Sequence, residues 1–297
     1  MSAAKLVVIT GATSGIGQLA AIELAKKGAH LVLTARSEEK AAETRSIIEA
    51  QAPGALIDFH YADFNNLDQV GAAAAKIASL HERIDILINN AGIHAFEQRI
   101  NKDGLSEMVT VNYLASWLFT DVLRKRLVNS SPSRIVNVGS EASRQSGGLD
   151  PKVDLLHTEP FSALGSSKVY GKTKLMNIMF SYELARQLEG TGVAVNCLCP
   201  GFNATGLGRE LSFAAPLKWI LNTLNIGDPR RGAEIIVRLA NDPEYEFVSG
   251  GYYSVKAKLQ TPISPGDEPA SQHELWNVTA GLLAERTKRF NQNERLD

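Results

Sequence analysis

The chain has 297 residues, of which 44% are hydrophobic, with 31 basic residues, 32 acidic residues and two cysteines. The formal net charge of −1 argues against a broad electrostatic grip on nucleic acid or anionic lipid. No apolar run approaches the ~18 residues of a membrane span, and two cysteines cannot form a disulfide framework. These properties predict a cytoplasmic globular protein with a large buried core.

Short apolar, β-branched runs alternate with helical patterns along the chain. Strands are predicted at 6–10, 31–35, 56–61, 84–89, 134–138, 193–198 and near 251–255, and helices at about 16–27, 37–51, 67–82, 104–128, 168–189 and 229–241. Continuous apolar strands indicate burial on both faces, and the alternation indicates right-handed crossovers. We therefore predict an α/β fold, a single Rossmann-type domain with a doubly wound parallel sheet and helices on both faces.

Three stretches lie outside this alternation of strands and helices. Residues 141–167 and 202–228 each follow a predicted strand, and ligands bind at the carboxyl ends of parallel strands. We predict that both are substrate-side insertions. The tail after residue 256 contains three prolines and then a helical pattern near 271–290, which predicts a C-terminal extension of the same domain, 1–297.

A glycine-rich turn joins the first strand to the first helix. Its pattern is G-x-x-x-G-x-G, and its candidate cofactor-binding residues are Gly11, Thr13, Ser14, Gly15, Ile16 and Gly17. Glycines let the backbone approach a pyrophosphate, and a helix N-terminus favours its charge. An ordinary glycine turn is the alternative, but the strand before it and the helix after it favour a dinucleotide site.

The second predicted strand ends at Arg36, about 20 residues past the glycines, where an NAD site usually carries an acidic residue. No acid occurs at 34–36. A guanidinium is a planar, bidentate donor suited to phosphate. The sequence therefore predicts NADP(H), with a solvated arginine at a helix start as the alternative.

Further polar and glycine motifs occur in order along the rest of the chain. They are Asp63 after the third strand, Asn89-Asn90-Ala91-Gly92 after the fourth, Asn112 in the helix at 104–128, Ser140 after the fifth strand, Tyr170 and Lys174 as Y-x-x-x-K, and Pro200-Gly201 with Thr205 after the sixth. One such motif means little, but the whole series resembles the short-chain dehydrogenase/reductase family over nearly the full chain.

The resemblance implies two sets of site residues. The cofactor would contact Asp63, at its adenine, and also Asn89, Ala91, Gly92, Tyr170, Lys174, Pro200, Gly201 and Thr205. The catalytic residues would be Asn112, Ser140, Tyr170 and Lys174. In this family Ser140 would bond the reacting oxygen, Asn112 would hold a relay water, and Lys174 would hold the nicotinamide ribose.

The residue types explain this chemistry. Tyr170 and Lys174 are four residues apart, on one face of a helix. A free tyrosine has a pKa near 10, and a nearby ammonium lowers that pKa. Tyr170 would then donate a proton to a carbonyl, or remove one from an alcohol. By itself, Tyr170 would be interpreted as an amphipathic residue on a helix surface, and the presence of Ser140, Lys174 and Asn112 favours the catalytic role instead.

The long spacing between Ser140 and Tyr170 resembles the retinol dehydrogenase, carbonyl reductase and protochlorophyllide reductase group. Gly139 is a departure, since many of these relatives have a second serine there. Many members of this group carry an N-terminal membrane anchor. Here the first predicted strand begins almost at the start of the sequence, so we do not expect this protein to share their membrane localisation.

The leading prediction is an NADP(H)-dependent enzyme that interconverts a carbonyl and an alcohol on a bulky apolar small molecule. An apolar helical pattern at 213–226 suggests a substrate flap, although a core-facing helix is as compatible. The alternatives are reduction of a conjugated C=C bond and non-catalytic NADP(H) binding, which the presence of Tyr170 and Lys174 disfavours. No metal, nucleic acid or membrane insertion is predicted, and monomer and homodimer both stay open.

Several other residues receive lesser roles. Phe96, Glu141 and Phe202 are predicted near the pocket, Lys168 and Lys172 in solvent, Ser166 and Ser167 as helix-start caps, and Cys197 and Cys199 as buried small side chains.

Overall fold

A computed structural model describes residues 4–201 and 228–293 and contains one seven-stranded parallel sheet. The strands are β1 (Leu6–Ile9), β2 (His30–Ala35), β3 (Ile57–Tyr61), β4 (Ile86–Asn89), β5 (Ser133–Val138), β6 (Val193–Leu198) and β7 (Gly251–Tyr253). Their order is β3-β2-β1-β4-β5-β6-β7, and every neighbouring pair is parallel. All seven predicted strands are confirmed, with ends that differ by at most two residues.

Helices cover both faces of this sheet. They are α1 (Gly15–Lys26), α2 (Glu38–Gln51), α3 (Leu67–Leu80), α4 (Glu107–Val109), α5 (Ala115–Asn129), α6 (Pro151–Asp154), α7 (Ala163–Gln187), α8 (Pro229–Asn241) and α9 (Pro269–Asn293). Alternate residues of β1 enter opposite cores, Val7 and Ile9 on the side of α1, α2 and α8, and Val8 on the side of α3, α5, α7 and α9. The predicted Rossmann-type doubly wound α/β fold is therefore confirmed.

The predicted helix at 104–128 contains an irregular turn. A π-helical segment, Thr110–Leu114, joins α4 to α5, so one continuous rod has a widened turn at Asn112. Such turns are uncommon and occur frequently at functional sites. Hydrophobic periodicity does not predict this π turn, because all five residues of the segment are buried.

The helix that carries Tyr170 and Lys174 begins at Ala163, earlier than predicted. Its N-cap residue is Ser162, so the prediction that Ser166 and Ser167 cap it is wrong. Ser166 lies within the first turns, fully buried, and its hydroxyl donates to Ala163 O at 2.7 Å. A serine within a helix can satisfy its hydroxyl in this way on a preceding carbonyl.

The insertion at 141–167 folds back onto α7. It contains a 3₁₀ turn at Glu141–Gln145 and the short helix α6. Lys172 was expected in solvent, but its Nζ lies 2.5 Å from Asp154 Oδ1, and Asp154 is buried. The expectation failed because the insertion brings Asp154 of α6 beside the face of α7 that carries Lys172, which an isolated helix would expose. Lys168 does face solvent, as predicted.

Substituting Asp154 with asparagine is expected to lower the free energy of unfolding by about 1–3 kcal/mol, because a half-buried ammonium loses its countercharge. Urea denaturation at neutral pH measures the change. The matched control is Glu274→Gln in the exposed Lys152–Glu274 pair, which is expected to leave the free energy of unfolding nearly unchanged. Equal effects of the two substitutions would contradict the buried role of Asp154.

The C-terminal extension forms the predicted helix, α9, and packs across α5 and α7. Trp276 lies 5.0 Å from Trp117 and 5.9 Å from Phe180, measured between ring centroids. Thr279 and Tyr113 share a buried hydrogen bond of 2.8 Å. The extension thus supports the helices that carry the predicted catalytic residues. The predicted flap at 202–228 lies almost wholly outside the described residues.

Candidate active site

A cleft of about 410 Å³ opens at the carboxyl ends of the central strands. Among the predicted site residues, it is lined by Gly11, Thr13, Ser14, Gly15, Ile16, Arg36, Asp63, Ala91, Gly92, Ser140, Tyr170, Lys174, Pro200 and Gly201. These residues come from seven separate segments of the chain. The parallel sheet brings them together because its strands all end at the same edge.

The glycine turn has the backbone that a pyrophosphate cradle requires. Gly11 and Gly15 have φ values of +65° and +60°, in the left-handed region that side chains rarely adopt. A Cβ on Gly11 would lie 2.8 Å from Ala91 Cα. Ser14, the N-cap of α1, makes no side-chain cap bond, which leaves the first-turn N–H groups for an anion. The turn therefore fits a dinucleotide.

Gly17 has a packing role beneath this cradle. It does not line the cleft. Its side-chain position faces the Asn90 side chain instead, since a Cβ on Gly17 would lie 2.2 Å from Asn90 Nδ2. That amide nitrogen donates to Thr10 O at 3.0 Å and to Gly11 O at 2.9 Å. Gly17 thus makes room for the Asn90 side chain, which holds the glycine turn from below.

Asn89 also departs from its predicted place. Its side chain is buried and donates to Thr120 Oγ1 and Asn137 Oδ1, each at 2.8 Å, so it faces away from the cleft. The strand alternation explains this correction, since adjacent residues at a strand end point to opposite sides. Asn90, which the sequence analysis did not single out, supports the cleft instead.

Arg36 is exposed just after β2 and lines the cleft, as Asp63 and Phe64 also do. Asp63 Oδ1 accepts a hydrogen bond from Asn65 N at 3.0 Å, which orients the carboxylate. A cation and an oriented carboxylate in this cleft suit a phosphorylated ribose and an adenine. Thr205 and Phe202 lie outside the described residues.

Ser140, Tyr170 and Lys174 converge at the end of β5. The Ser140 hydroxyl lies beside the phenol of Tyr170, and its Oγ accepts a hydrogen bond from Ala142 N at 3.1 Å. Lys174 Nζ donates to Val138 O at 3.0 Å and lies 5.7 Å from the centroid of the Tyr170 ring. The helical spacing of four therefore brings the phenol and the ammonium to the same side of α7.

Burial dominates the titration of both groups. It raises the pKa of Tyr170, although the hydrogen bond from Ser140 opposes the rise. It lowers the pKa of Lys174 to about 8. Among the chain's own groups, the net direction for Tyr170 is therefore opposite to the one expected from Lys174 alone. Desolvation is the largest cause of both shifts, because both side chains lie inside the protein.

Asn112 braces the loop after β4. Its Oδ1 accepts from Ile93 N at 2.7 Å, and its Nδ2 donates to Ile93 O at 2.9 Å and to Thr173 Oγ1 at 3.0 Å. It does not line the cleft itself. A Cβ on Gly92 would lie 3.3 Å from Asn112 Oδ1 and 3.4 Å from Lys174 Nζ, so both side chains approach the Gly92 backbone at the cleft wall.

The sequence analysis missed His94, whose ring stacks on that of Tyr170 with centroids 4.6 Å apart. An aromatic residue soon after Asn89-Asn90-Ala91-Gly92 was the available signal. Of the predicted pocket residues, Phe96 stacks against His94, and Glu141 is exposed and pairs with Arg144 at 2.7 Å. Cys197 and Cys199 are buried, as predicted, and burial raises both thiol pKa values.

Comparison with known proteins agrees with this geometry. Residues 5–150 match the family model for short chain dehydrogenases. Human retinol dehydrogenase 13 is 33% identical over 289 residues, which cover 94% of this chain and 84% of that protein. The chain belongs to the short-chain dehydrogenase/reductase family. Within it, the chain lies in the retinol dehydrogenase 11–14-like branch, and human retinol dehydrogenase 14 is 34% identical over 94% of this chain and 87% of its own.

Solved structures of this short-chain dehydrogenase/reductase fold agree. A protein from Beutenbergia cavernae, proposed to be an NAD(P)-dependent gluconate 5-dehydrogenase and solved with bound NADP, superposes with a TM-score of 0.67. It is 26% identical and aligns over 86% of this chain and 96% of its own. Family membership makes the present protein an oxidoreductase of the class that interconverts alcohols and carbonyls with NAD(P).

Among the described residues of this short-chain dehydrogenase/reductase, no helix has the length and apolar character needed to cross a bilayer. In the same residues, 4–201 and 228–293, no group of three or more histidine, cysteine, aspartate or glutamate side chains is arranged to hold a metal ion.

Proposed function

We propose that this enzyme uses NADP(H) to interconvert a carbonyl and an alcohol on a bulky, weakly polar small molecule. The convergence of Ser140, Tyr170 and Lys174 in one cleft with the glycine turn supports this proposal most directly. The cofactor would supply the hydride in reduction and accept it in oxidation. Gly11 to Ile16 would hold its pyrophosphate, and Asp63 its adenine.

Tyr170 moves the proton. In reduction its phenol donates to the substrate oxygen, and in oxidation the phenolate accepts the proton of the alcohol. Burial raises the pKa of Tyr170 and keeps the phenol protonated at neutral pH, which suits the reductive direction. Ser140, beside that phenol, orients the same oxygen. General acid–base help of this kind contributes roughly 10²–10⁴ in rate.

Lys174, which lines the cleft, and Asn112, just behind its wall, support this step. Lys174 would hold the nicotinamide ribose and restore the proton that Tyr170 gives up, since its pKa of about 8 lies near neutrality. Asn112 would keep the loop of Gly92 and Ile93 against α7. Its three amide hydrogen bonds to protein groups favour this bracing over the water-holding role that the family resemblance implies.

Arg36 carries the preference for NADP(H). We expect Arg36→Leu to lower kcat/KM for NADPH by about 10- to 100-fold, because a charge-assisted bond to the 2′-phosphate is worth ~1.5–3 kcal/mol. The kcat/KM for NADH is expected to change little. Steady-state kinetics with both cofactors measure the ratio, and Arg124→Leu, on the distant helix α5, is the control. A wild-type enzyme with equal kcat/KM values for NADPH and NADH would refute the assignment.

The function itself is tested with a panel of aldehydes and ketones, by following NADPH oxidation and identifying the products. An alcohol product supports the proposal. A saturated ketone from an enone would favour C=C reduction, which the shared frame also allows. NADPH binding without turnover across the panel would favour a non-catalytic NADP(H)-binding protein.

A further inference from the structure

We propose that His94 is a positioning residue that sets the orientation of the Tyr170 phenol. The proposal rests on the proposed function, in which Tyr170 transfers the proton. His94 lies on the loop after β4 and lines the same cleft. Its ring stacks on the Tyr170 ring with centroids 4.6 Å apart and planes 11° apart. The proton-donating side chain therefore has a flat neighbour along its whole face.

A hydrogen bond from the catalytic helix fixes the His94 ring. His94 Nε2 lies 3.1 Å from Ser166 Oγ, and Ser166 is fully buried. The single hydroxyl proton of Ser166 goes to Ala163 O at 2.7 Å. The hydroxyl must therefore accept from His94, which assigns the proton of that bond to Nε2. The plane of the ring is set by a directional bond.

Ser166 and Tyr170 are one helical turn apart on α7. The imidazole thus bonds to one of them and stacks on the other, and it spans a full turn of the catalytic helix from outside. Phe96 adds a second ring contact, 4.7 Å from His94 at 29°. A phenol that could swing about its side-chain torsions is confined to one plane by this arrangement.

Confinement of the phenol matters because proton transfer depends steeply on geometry. Ser140 lies beside the oxygen end of Tyr170, and an interaction at that end alone leaves the ring free to rotate about its long axis. The stacked imidazole removes this freedom. A misplacement of about 1 Å at a reacting group can cost about 100-fold in rate. We therefore expect His94 to affect kcat and to leave the KM values little changed.

The kinetic arm compares four variants with the wild type. We expect His94→Leu to lower kcat about 10- to 100-fold, with KM for NADPH and for the carbonyl substrate within about threefold. The solvent isotope effect on kcat is expected to rise, because proton transfer becomes slower. His94→Phe, which keeps a stacking ring, is expected to recover most of kcat. Ser166→Ala is expected to have an intermediate effect, and its neighbour Ser167→Ala none.

The second experiment measures the environment of the Tyr170 phenol by NMR. NMR of ring-labelled tyrosine follows the Tyr170 signal among the seven tyrosines, and its absence in Tyr170→Phe identifies it. We expect that signal to move in His94→Leu and Ser166→Ala, and to stay in place in Ser167→Ala. A moved signal supports the proposal even if the wild type turns over no carbonyl, a result that would refute only the proposed function.

Three results would overturn the role of His94. One is a Tyr170 signal that stays in place in both His94→Leu and Ser166→Ala. Another is a rise in the substrate KM at unchanged kcat, which would make His94 a substrate-binding group. The third is a His94→Phe variant as slow as His94→Leu, which would show that the stacked ring contributes nothing.

Discussion

The Tyr170→Phe enzyme is expected to lose about 10²–10⁴ of its kcat and to bind NADPH nearly as well as the wild type. The substitution removes the phenol oxygen, which lies beside Ser140 and is proposed to transfer the proton. The ring remains, so its stacking on His94 and its packing in the cleft are kept. Carbonyl reduction rates and NADPH fluorescence titration measure the two quantities separately.

The control is Tyr182→Phe, which lies three turns along the same helix and is expected to keep full activity. Undiminished kcat in Tyr170→Phe would refute the proposed acid. Loss of NADPH binding together with turnover would show instead that the phenol oxygen holds the cofactor.

Lys174→Met is expected to abolish turnover and, without cofactor, to make the fold more stable at pH 7. Burial lowers the pKa of Lys174 to about 8 from the ordinary 10.5, so the charged ammonium destabilises the folded protein. Methionine fills a similar volume and carries no charge. We expect a gain of about 1–3 kcal/mol at pH 7, less the lost hydrogen bond to Val138 O.

The pH dependence follows from the direction of the shift. Between pH 8 and 10.5 the unfolded chain binds this proton more tightly than the folded chain, so wild-type stability gains from Lys174 as the pH rises. The methionine variant lacks this contribution, and its advantage is expected to shrink above pH 8 and vanish near pH 10.5. Urea denaturation at several pH values measures the difference from wild type.

Lys125→Met, on the exposed face of α5, is the matched control and is expected to change stability little. A Lys174→Met variant that is less stable than wild type at pH 7 would contradict the argument. Together the two substitutions separate chemistry from folding. Tyr170→Phe removes the proton donor at little structural cost, whereas Lys174→Met tests whether a catalytic charge is held at the expense of stability.

Local sequence patterns were sufficient to predict most of the fold. Strands such as β5 and β6 were predictable because continuous apolar residues with β-branched side chains need burial on both faces. The glycine turn was predictable because Gly11 and Gly15 require backbone angles that other residues rarely adopt. The Y-x-x-x-K spacing placed Tyr170 and Lys174 on one face of α7 for the same kind of local reason.

Other features depend on contacts between distant segments. Lys172 meets Asp154 only because the insertion folds back onto α7. His94 meets Tyr170 because the loop after β4 lies against α7, and the two residues are far apart in the chain. Neither contact follows from the periodicity of its own segment.

The sequence by itself determined the α/β class, the order of its elements and the residue types of the cleft, because these depend on side-chain periodicity and backbone angles within a few residues. The tertiary structure decided which asparagine supports the glycine turn, which residues brace Tyr170 and in which direction its pKa moves. Those properties depend on burial and on neighbours from other elements. Desolvation in particular is a property of the assembled core and not of any one segment.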